Sequence, residues 1–439
     1  MPAIVIDLGS TFIKGAVADL DACRLGSVRR HPFPPPLTGR PAGFFEVNPE
    51  AVAAAFTTML DALLEECGTC EGLFLSTQMH GLVITSERGE ALSPVVTWQD
   101  TRAAGACYEE VRERIGEEAI RETGNDFRPG LPVCALYWMA RENALPARHA
   151  IPAGIADFVL ARLSETASGI DQTNAASHGA LDLARGCWHA GVVEALGLGH
   201  LAWPEIHGQG TRVCTLTRQG QTFPCYAPVG DSQAALAGVL LAEDELSLNI
   251  STGSQAAVLS TKAEPGDCAV RPFFDGKFLR LVAHVPAGLA LQALLDLLCE
   301  IPRARGLEIP DPWDYVTEAV SQVRDSGLDV DLSFYPTSFG DRGGIGNIQR
   351  EELTVGHFFH SAYRGLAENY AACLTRLAPD TPPRRIAFSG GLARRQEKLR
   401  EMIATRLDLP YRQSQTEEEA LAGLLVLGRT STGRRGGAV

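Results

Sequence analysis

The segment Tyr226–Gly238 reads YAPVGDSQAALAG and lies just past the middle of the chain. An apolar approach ends at Val229, Gly230 follows, and small residues fill the stretch after Asp231. This pattern predicts a turn that leads into a closely packed helix, with the carboxylate of Asp231 at the helix mouth. Aspartate is a preferred residue at a helix N-cap. Two interpretations of Asp231 therefore stand at this point, a structural cap and a catalytic carboxylate, and the rest of the chain must decide between them.

The composition predicts a globular protein with more than one domain. The chain has 439 residues, of which 45% are hydrophobic and 21% are charged, and a chain of this length exceeds what one core usually supports. The net charge is −14 and no long basic run is present, which argues against a nucleic-acid partner. The negative net charge is still compatible with an anionic ligand, provided that backbone N–H groups or a metal ion supply positive charge at the binding site.

No targeting or membrane segment is visible in the sequence. The N-terminus lacks the basic and apolar regions of a secretory signal, and no run approaches the roughly 18 apolar residues of a membrane span. The 11 cysteines are an odd number and are scattered, which is typical of reduced thiols. We therefore expect a cytoplasmic protein without a membrane partner. The oligomeric state stays open, with a homodimer among the options.

A short pattern occurs twice in the chain. Both Ile6–Ser10 and Ile250–Ser254 follow Ile-x-x-Gly-Ser between short apolar runs, as expected for a strand, a tight polar turn and a second strand. The repeat predicts two domains of similar plan, residues 1–241 and 242–429, followed by a disordered tail, residues 430–439. Two such turns facing one cleft would clamp a phosphate chain between their N–H groups.

The turns carry the groups that phosphate and magnesium require. The first turn combines a carboxylate, hydroxyls, exposed N–H groups and a lysine, contributed by Asp7, Gly9, Ser10, Thr11 and Lys14. The second turn offers Thr252, Gly253 and Ser254. Further on, Gly390 and Gly391 stand between an apolar strand and a helix. That arrangement suits a nucleotide, although close helix–strand packing would also explain it.

Polar side chains follow two further apolar strands. Gln78, Met79 and His80 come after the first, and Asp100 and Arg102 come after the second. Open α/β sheets bind ligands at strand ends of this kind, and the polar side chains among them, Gln78, His80, Asp100 and Arg102, can form hydrogen bonds with the hydroxyls of a polyhydroxylated ligand. Each also has a structural interpretation: His80 as a core histidine, and Asp100 with Arg102 as a surface ion pair.

Taken in order, these segments resemble the FGGY carbohydrate kinases over nearly the whole chain. Asp7-x-Gly9-Ser10-Thr11 with Lys14 looks like the first phosphate motif of the actin and sugar-kinase superfamily. The remaining family segments appear in the family's order: Gln78–Gly81, Trp98–Arg102, Gly230-Asp231, Thr252–Ser254 and Gly390-Gly391. Within the family the sequence is most similar to sedoheptulokinases, with xylulokinases as the close rival. Arg394 departs from the asparagine that many relatives carry after the glycines.

The resemblance implies an α/β protein with a two-domain actin-like, ribonuclease-H-like ATPase fold and a cleft between duplicated domains. It implies ATP with Mg²⁺ as cofactors and a ketose as the acceptor, sedoheptulose giving sedoheptulose 7-phosphate, or alternatively xylulose, another pentulose or a polyol. Asp231 would then be the general base, kept ionised by the helix N-terminus, and Asp7 would hold the metal through water. The implied acceptor-binding residues are Gln78, Met79, His80, Asp100, Arg102, Asp231 and Gln233. A sensor that binds ATP and sugar without catalysis is the alternative from another class.

Overall fold

The computed structural model describes residues 2–146, 149–167 and 169–434. The strands up to residue 230 are β1 (Pro2–Leu8), β2 (Phe12–Asp19), β3 (Arg24–Leu25), β4 (Arg29–Pro32), β5 (Glu46–Val47), β6 (Leu73–Thr77), β7 (Val83–Thr85), β8 (Val95–Val96), β9 (Ile151–Ala153), β10 (Ile170–Asp171), β11 (Leu181–Asp182), β12 (Cys187–Trp188), β13 (Ile206–His207), β14 (Arg212–Arg218), β15 (Gln221–Tyr226) and β16 (Val229–Gly230). The helices of this half are α1 (Pro49–Cys67), α2 (Ala106–Glu122), α3 (Pro132–Arg141), α4 (Ile155–Ser164), α5 (Gln172–Ser177), α6 (Ala190–Ala195) and α7 (Asp231–Gly238).

The first half is built on a mixed sheet in the order β14–β15–β6–β1–β2–β3. β1 and β2 form an antiparallel hairpin, and β6 lies parallel to β1 on its other side. Ile4 and Ile6 of β1 are fully buried and pack with the apolar face of α1. The strand ends of β1 and β6 therefore open at the same edge of the sheet, beside the turn that follows Leu8.

The second half continues with β17 (Glu245–Ile250), β18 (Ser254–Ser260), β19 (Ala269–Pro272), β20 (Phe278–Val285), β21 (Asp329–Asp331), β22 (Gly344–Gly346), β23 (Arg385–Ser389) and β24 (Tyr411–Gln413). Its helices are α8 (Gly288–Ala304), α9 (Pro312–Ser321), α10 (Val355–Leu377), α11 (Gly391–Arg395), α12 (Glu397–Leu407) and α13 (Glu419–Ser431).

The second sheet repeats the plan of the first. Its order is β19–β20–β18–β17–β23–β24, with β17 antiparallel to β18 and parallel to β23. The helix α10 covers this sheet and buries Tyr363 and Tyr370 completely. The two Ile-x-x-Gly-Ser segments thus form equivalent hairpins, as the repeat predicted.

The last helix returns to the first half of the molecule. Leu421 and Leu424 of α13 join a cluster with Ala3 and Val5 of β1, and α13 also packs along α7. The predicted division at residue 241 remains a prediction, but α13 itself lies on the first sheet. This helix also continues to Ser431, so the predicted tail begins later than residue 430. Residues 435–439 lie outside the described residues.

One predicted helix begins later than expected. From the sequence alone, residues 152–163 are predicted to be helical, whereas Ile151–Ala153 pairs with β7 as a strand and α4 starts at Ile155. A proline lacks the N–H that a helix interior needs, but it is tolerated in a strand edge. In the parts of the chain that the structure describes, no helix has the length and apolar character needed to cross a membrane.

Candidate active site

The two hairpin turns face a common cavity of about 740 Å³. Asp7, Ser10 and Lys14 line it from the first half of the chain, and Thr252, Gly253 and Ser254 line it from the second half, with Asp231 also in the wall. A cavity of this size falls within the range of about 300–1,000 Å³ that is usual for small-ligand sites. The arrangement is that of a cleft between two equivalent sheets.

Asp231 is the first residue of α7, and Gly230 occupies the N-cap position. Its carboxylate accepts a hydrogen bond from the backbone N–H of Ser232 (2.7 Å), and no side chain caps the helix. Asp231 is therefore not the N-cap residue, although its carboxylate binds one backbone N–H of the first turn. Burial, and then the charge of Asp7, raise the pKa of Asp231 to about 7. The helix N-terminus does not keep this carboxylate fully ionised as expected, because burial and Asp7 outweigh it.

Asp7 lies near the end of β1, in the same cavity wall. Its Oδ1 accepts a hydrogen bond from Ser76 Oγ (2.7 Å), and burial raises its pKa despite that bond and the nearby charge of Lys14. Within the described ranges no group of three or more His, Cys, Asp or Glu side chains is arranged to hold a metal ion. Mg²⁺ usually binds through one or two carboxylates, water and phosphate, so a single carboxylate here fits that ion.

Lys14 is engaged by an acidic group. Its Nζ donates to Glu418 Oε2 (2.7 Å), just before α13, and Arg30 donates to the other oxygen of the same carboxylate. In the first turn, Gly9 and Thr11 contribute backbone contacts: the Gly9 carbonyl accepts from Gln78 Nε2 (3.4 Å) and the Thr11 carbonyl from the Phe33 N–H (2.9 Å). Neither belongs to the cavity lining.

The glycine pair of the expected adenosine segment lies behind the second turn. Gly390 has a positive φ of 89°, and a Cβ placed there would lie 2.5 Å from the carbonyl oxygen of Ile250. Only glycine fits such a position. Gly390 and Gly391 do not contribute to the cavity lining. Arg394 lies nearby, where it binds the Thr416 carbonyl and Glu419 (3.2 Å).

Gln78, Met79 and His80 do line the cavity, together with Trp98. His80 has a left-handed backbone, with φ of 65°, and its Nδ1 lies 3.0 Å from the Ser177 carbonyl. Burial, and then the charges of Arg128 and Arg271, hold its pKa well below the usual value. His80 is therefore a neutral histidine at the cavity wall.

Asp100 and Arg102 are placed differently from the expectation that they bind the sugar. The Arg102 guanidinium donates to both oxygens of Asp100 (2.8 Å each) and to Glu46 (2.8 Å), and its side chain is only 3% exposed. It also stacks over the ring of Phe44. Neither residue lines the cavity. Gln233 is likewise buried and donates to the Pro272 carbonyl (3.3 Å). Asp100, Arg102 and Gln233 therefore pack behind the residues that line the cavity.

Charged residues that the sequence did not single out complete the wall. Arg128, Arg271 and His284 line the cavity, and Asp126 binds Arg271 through Nη2 (2.6 Å). Each stands alone in the sequence, outside any recognised pattern, and Asp126 and Arg271 lie 145 positions apart. No local signal could have brought them together.

The sequence is similar to those of known proteins. The sequence model described as "FGGY family of carbohydrate kinases, N-terminal domain" matches residues 2–237. A sedoheptulokinase from Mus musculus is 23% identical over 86% of this chain and 85% of its own length. A gluconokinase from Bacillus subtilis (strain 168) is 23% identical over 98% and 87%.

Solved structures show the same fold. A ligand-bound xylulose kinase from Lactobacillus acidophilus superposes with a TM-score of 0.84 at 19% identity, covering 98% of this chain and 89% of its own. A gluconate kinase from the same organism has a TM-score of 0.85 at 17% identity, covering 99% and 90%. These neighbours confirm the two-domain actin-like ATPase fold, and with the matched family model they lead to one conclusion. The chain belongs to the FGGY family of carbohydrate kinases.

Proposed function

We propose that this carbohydrate kinase transfers the γ-phosphoryl group of ATP to the terminal hydroxyl of a ketose, with sedoheptulose as the first candidate. The observation that carries the proposal is the meeting of Asp231, Asp7 and the two glycine turns in one cavity. The mouse sedoheptulokinase, similar over most of both chains, supports the choice of sugar. Xylulose, another pentulose or a polyol are the alternatives within the family.

Asp231 would act as the general base. A sugar hydroxyl is a weak nucleophile, and a base is most effective when its pKa lies near the working pH. With a pKa of about 7, Asp231 can accept the hydroxyl proton while the hydroxyl oxygen attacks the γ-phosphorus and ADP leaves. General-base catalysis is worth about 10²–10⁴ in rate.

The two turns would hold the nucleotide in line with the acceptor. Thr252 and Gly253 line the cavity, and Lys14 would exchange Glu418 for a phosphate oxygen. Asp7 would hold Mg²⁺, which neutralises charge on the phosphate oxygens when it is bound. Closure of the cleft would exclude water, which competes with the sugar for the phosphoryl group.

A screen of ADP release tests the function. The acceptors are sedoheptulose, xylulose, ribulose, fructose, glycerol and gluconate, and we expect the highest kcat/KM for sedoheptulose. A different best acceptor would reassign the sugar and leave the kinase intact. If none of these acceptors raises ADP release above background, the result would favour a non-catalytic sensor.

The Asp231→Asn variant tests the assigned base. We expect kcat to fall at least about a hundredfold, with unchanged ADP affinity, because the amide keeps the size of the side chain and cannot take the proton. Asp275→Asn is the matched control, since Asp275 is exposed and outside the cavity. Near-native turnover of Asp231→Asn would remove Asp231 from this role.

A further inference from the structure

The cavity wall next to Met79 contains one guanidinium with a carboxylate partner. Arg271 donates through Nε (2.8 Å) and Nη2 (2.6 Å) to Asp126, and its Nη1 lies 3.7 Å from Met79 Sδ. Burial opposes ionisation of Asp126, but the charges of Arg271 and Arg128 prevail and lower its pKa to about 2. Arg271 and Asp126 therefore form a charged pair with no net charge.

Arg128 is a second guanidinium in this wall, and it has no such partner. Its Nη2 donates to His80 Nε2, and its Nη1 lies 3.2 Å from His284 Nε2. Burial and the charge of Arg128 lower the pKa of both histidines, so both are neutral near pH 7. Among the described residues, no carboxylate lies within ion-pair distance of Arg128, whose own pKa is lowered by burial. Arg128 and Arg271 therefore bring two positive charges to this part of the wall, and Asp126 is the one carboxylate paired with either of them among the described residues.

The two histidines that contact Arg128 are held in an unfavourable backbone conformation. φ is 65° at His80 and 54° at His284, in the left-handed region that costs residues other than glycine free energy. His80 follows β6 in the first half, whereas His284 lies near the end of β20 in the second. Strained residues of this kind cluster at ligand sites. Here His80 and His284 contact the guanidinium of Arg128 from the two halves of the chain.

The chemistry of this wall restricts what it can bind. A guanidinium has only hydrogen-bond donors, and a partly buried guanidinium without an ion-pair partner favours a ligand that supplies an acceptor oxygen. A carbonyl or carboxylate oxygen, which carries no proton, is the complementary group. A hydroxyl oxygen complements the guanidinium less well, because the hydroxyl also carries a proton that needs an acceptor of its own.

We infer that Arg128, supported by Arg271, binds a proton-free oxygen of the acceptor: the carbonyl of an open-chain ketose or the carboxylate of a sugar acid. The inference rests on the proposed function in taking this cavity as the acceptor site. It makes Arg128 a specificity-determining residue that disfavours acceptors carrying only hydroxyl groups.

Acceptor binding measured without ATP provides the test. Dissociation constants are determined by calorimetry for xylulose, xylitol and xylonate, and for the ketose, alditol and aldonate with seven carbons. We expect the ketose or the aldonate to bind at least about tenfold more tightly than the alditol, as for a hydrogen bond to a charged group. Which of the two binds best identifies the oxygen.

Variants at Arg128 make the test specific. Arg128→Gln should remove the preference, weakening ketose or aldonate binding about tenfold or more and leaving alditol binding within about twofold. Arg128→Lys should restore part of the preference because it retains the charge. Arg185→Gln, on an exposed arginine that pairs with Asp182, is the matched control. ADP affinity should be equal in all variants, which excludes a general folding defect.

Equal binding of ketose, aldonate and alditol by the wild-type protein would overturn the inference. A preference that persists in Arg128→Gln would overturn it as well. Failure of the proposed function gives a different result, because the binding preference would then persist without acceptor-dependent ADP release.

Discussion

Asp100 and Arg102 lie behind the cavity wall and outside its lining. The guanidinium of Arg102 joins two acidic side chains, Asp100 and Glu46, and all three side chains are nearly inaccessible. Asp100 also accepts a hydrogen bond from the Phe45 N–H (2.7 Å). The pair therefore fixes the loop that carries Trp98 to the cavity wall.

Removal of Arg102 should affect stability more than acceptor binding. Arg102→Met leaves the buried carboxylate of Asp100 without its cation and Glu46 with only the more exposed Arg40, and we expect the free energy of unfolding to fall by about 3–5 kcal/mol. Arg40→Met is the matched control, since Arg40 pairs with the same Glu46 (2.8 Å) but is 41% exposed, and should cost at most about 1 kcal/mol. Urea denaturation measures both. An unchanged midpoint together with a raised acceptor KM would instead place Arg102 in contact with the sugar.

At the scale of elements, the contact between α7 and α13 positions the proposed base. A Cβ at Gly423 of α13 would lie 1.8 Å from the carbonyl oxygen of Ala234 in α7, so the two helix backbones touch. The close approach requires the small residues that the sequence shows after Asp231. Because Asp231 begins α7 and Glu418 immediately precedes α13, this contact sets the geometry of one cavity wall.

A methyl group at Gly423 should therefore separate the two helices. Gly423→Ala is expected to lower the free energy of unfolding by about 1–3 kcal/mol, the usual cost of overpacking, and to reduce kcat because α7 is displaced. Gly199→Ala is the matched control, since a Cβ there meets no atom within 4 Å. Thermal unfolding and ADP release measure the two effects. A variant with unchanged stability and turnover would contradict the assigned contact.

Glu245 joins three strands of the second sheet at their starts. Its carboxylate, at the first residue of β17, accepts two hydrogen bonds from Arg412 of β24 (2.7 and 2.6 Å) and one from Arg385 of β23. Burial alone would raise its pKa, but the bonds from Arg412, the Ala242 N–H and Arg385 prevail and lower it to about 2.

The lowered pKa of Glu245 predicts a dependence of stability on pH. Its contribution is complete above the unfolded-state value of 4.5 and is lost as the pH falls toward about 2, since the folded state then binds fewer protons than the unfolded state. Urea unfolding of the wild type and of Glu245→Gln between pH 6 and pH 2.5 tests this. We expect the free energy of unfolding to fall less steeply in the variant below about pH 4.5. Parallel curves would exclude the ion pair as the cause.

At the scale of the whole molecule, the second sheet contacts the turn after α2 at one side of the cleft. The Val270 N–H of β19 donates to the Gly124 carbonyl (2.8 Å), next to the Arg271–Asp126 pair. The two hairpin turns line the same cavity, and a cleft joined on one side can close around its ligands. Such closure would place Arg128, Asp231 and the two hairpin turns around a single bound acceptor.

Metal removal should affect turnover and leave the fold intact. Asp7 is a single carboxylate, so Mg²⁺ would be held mainly by nucleotide phosphates and water. We expect EDTA to reduce ADP release to background and added Mg²⁺ to restore it, without a change in the thermal unfolding midpoint of the nucleotide-free protein. Asp7→Asn should raise the Mg²⁺ concentration required, whereas Asp275→Asn should not. A lower unfolding midpoint in EDTA would indicate a structural metal instead.

The sequence determined the features that depend on local chemistry. The hairpins around Gly9 and Gly253 follow from short apolar strands and turn residues, which are specified within a few positions of the chain. The repeat of that pattern predicted two equivalent sheets, and the family motifs predicted a kinase. Asp231 at the start of a small-residue helix was also evident.

Only the tertiary structure decided which side chains reach the cavity. Asp100 and Arg102 follow a buried strand as ligand-binding residues do, yet packing against Phe44 and Glu46 directs them inward. Arg128 and Arg271 come from opposite halves of the chain, and no short-range pattern encodes their meeting. The pKa of Asp231 likewise depends on burial and on Asp7, 224 positions away. Spacing along the chain specifies turns and strands, whereas side-chain direction and electrostatic environment arise only when distant segments pack together.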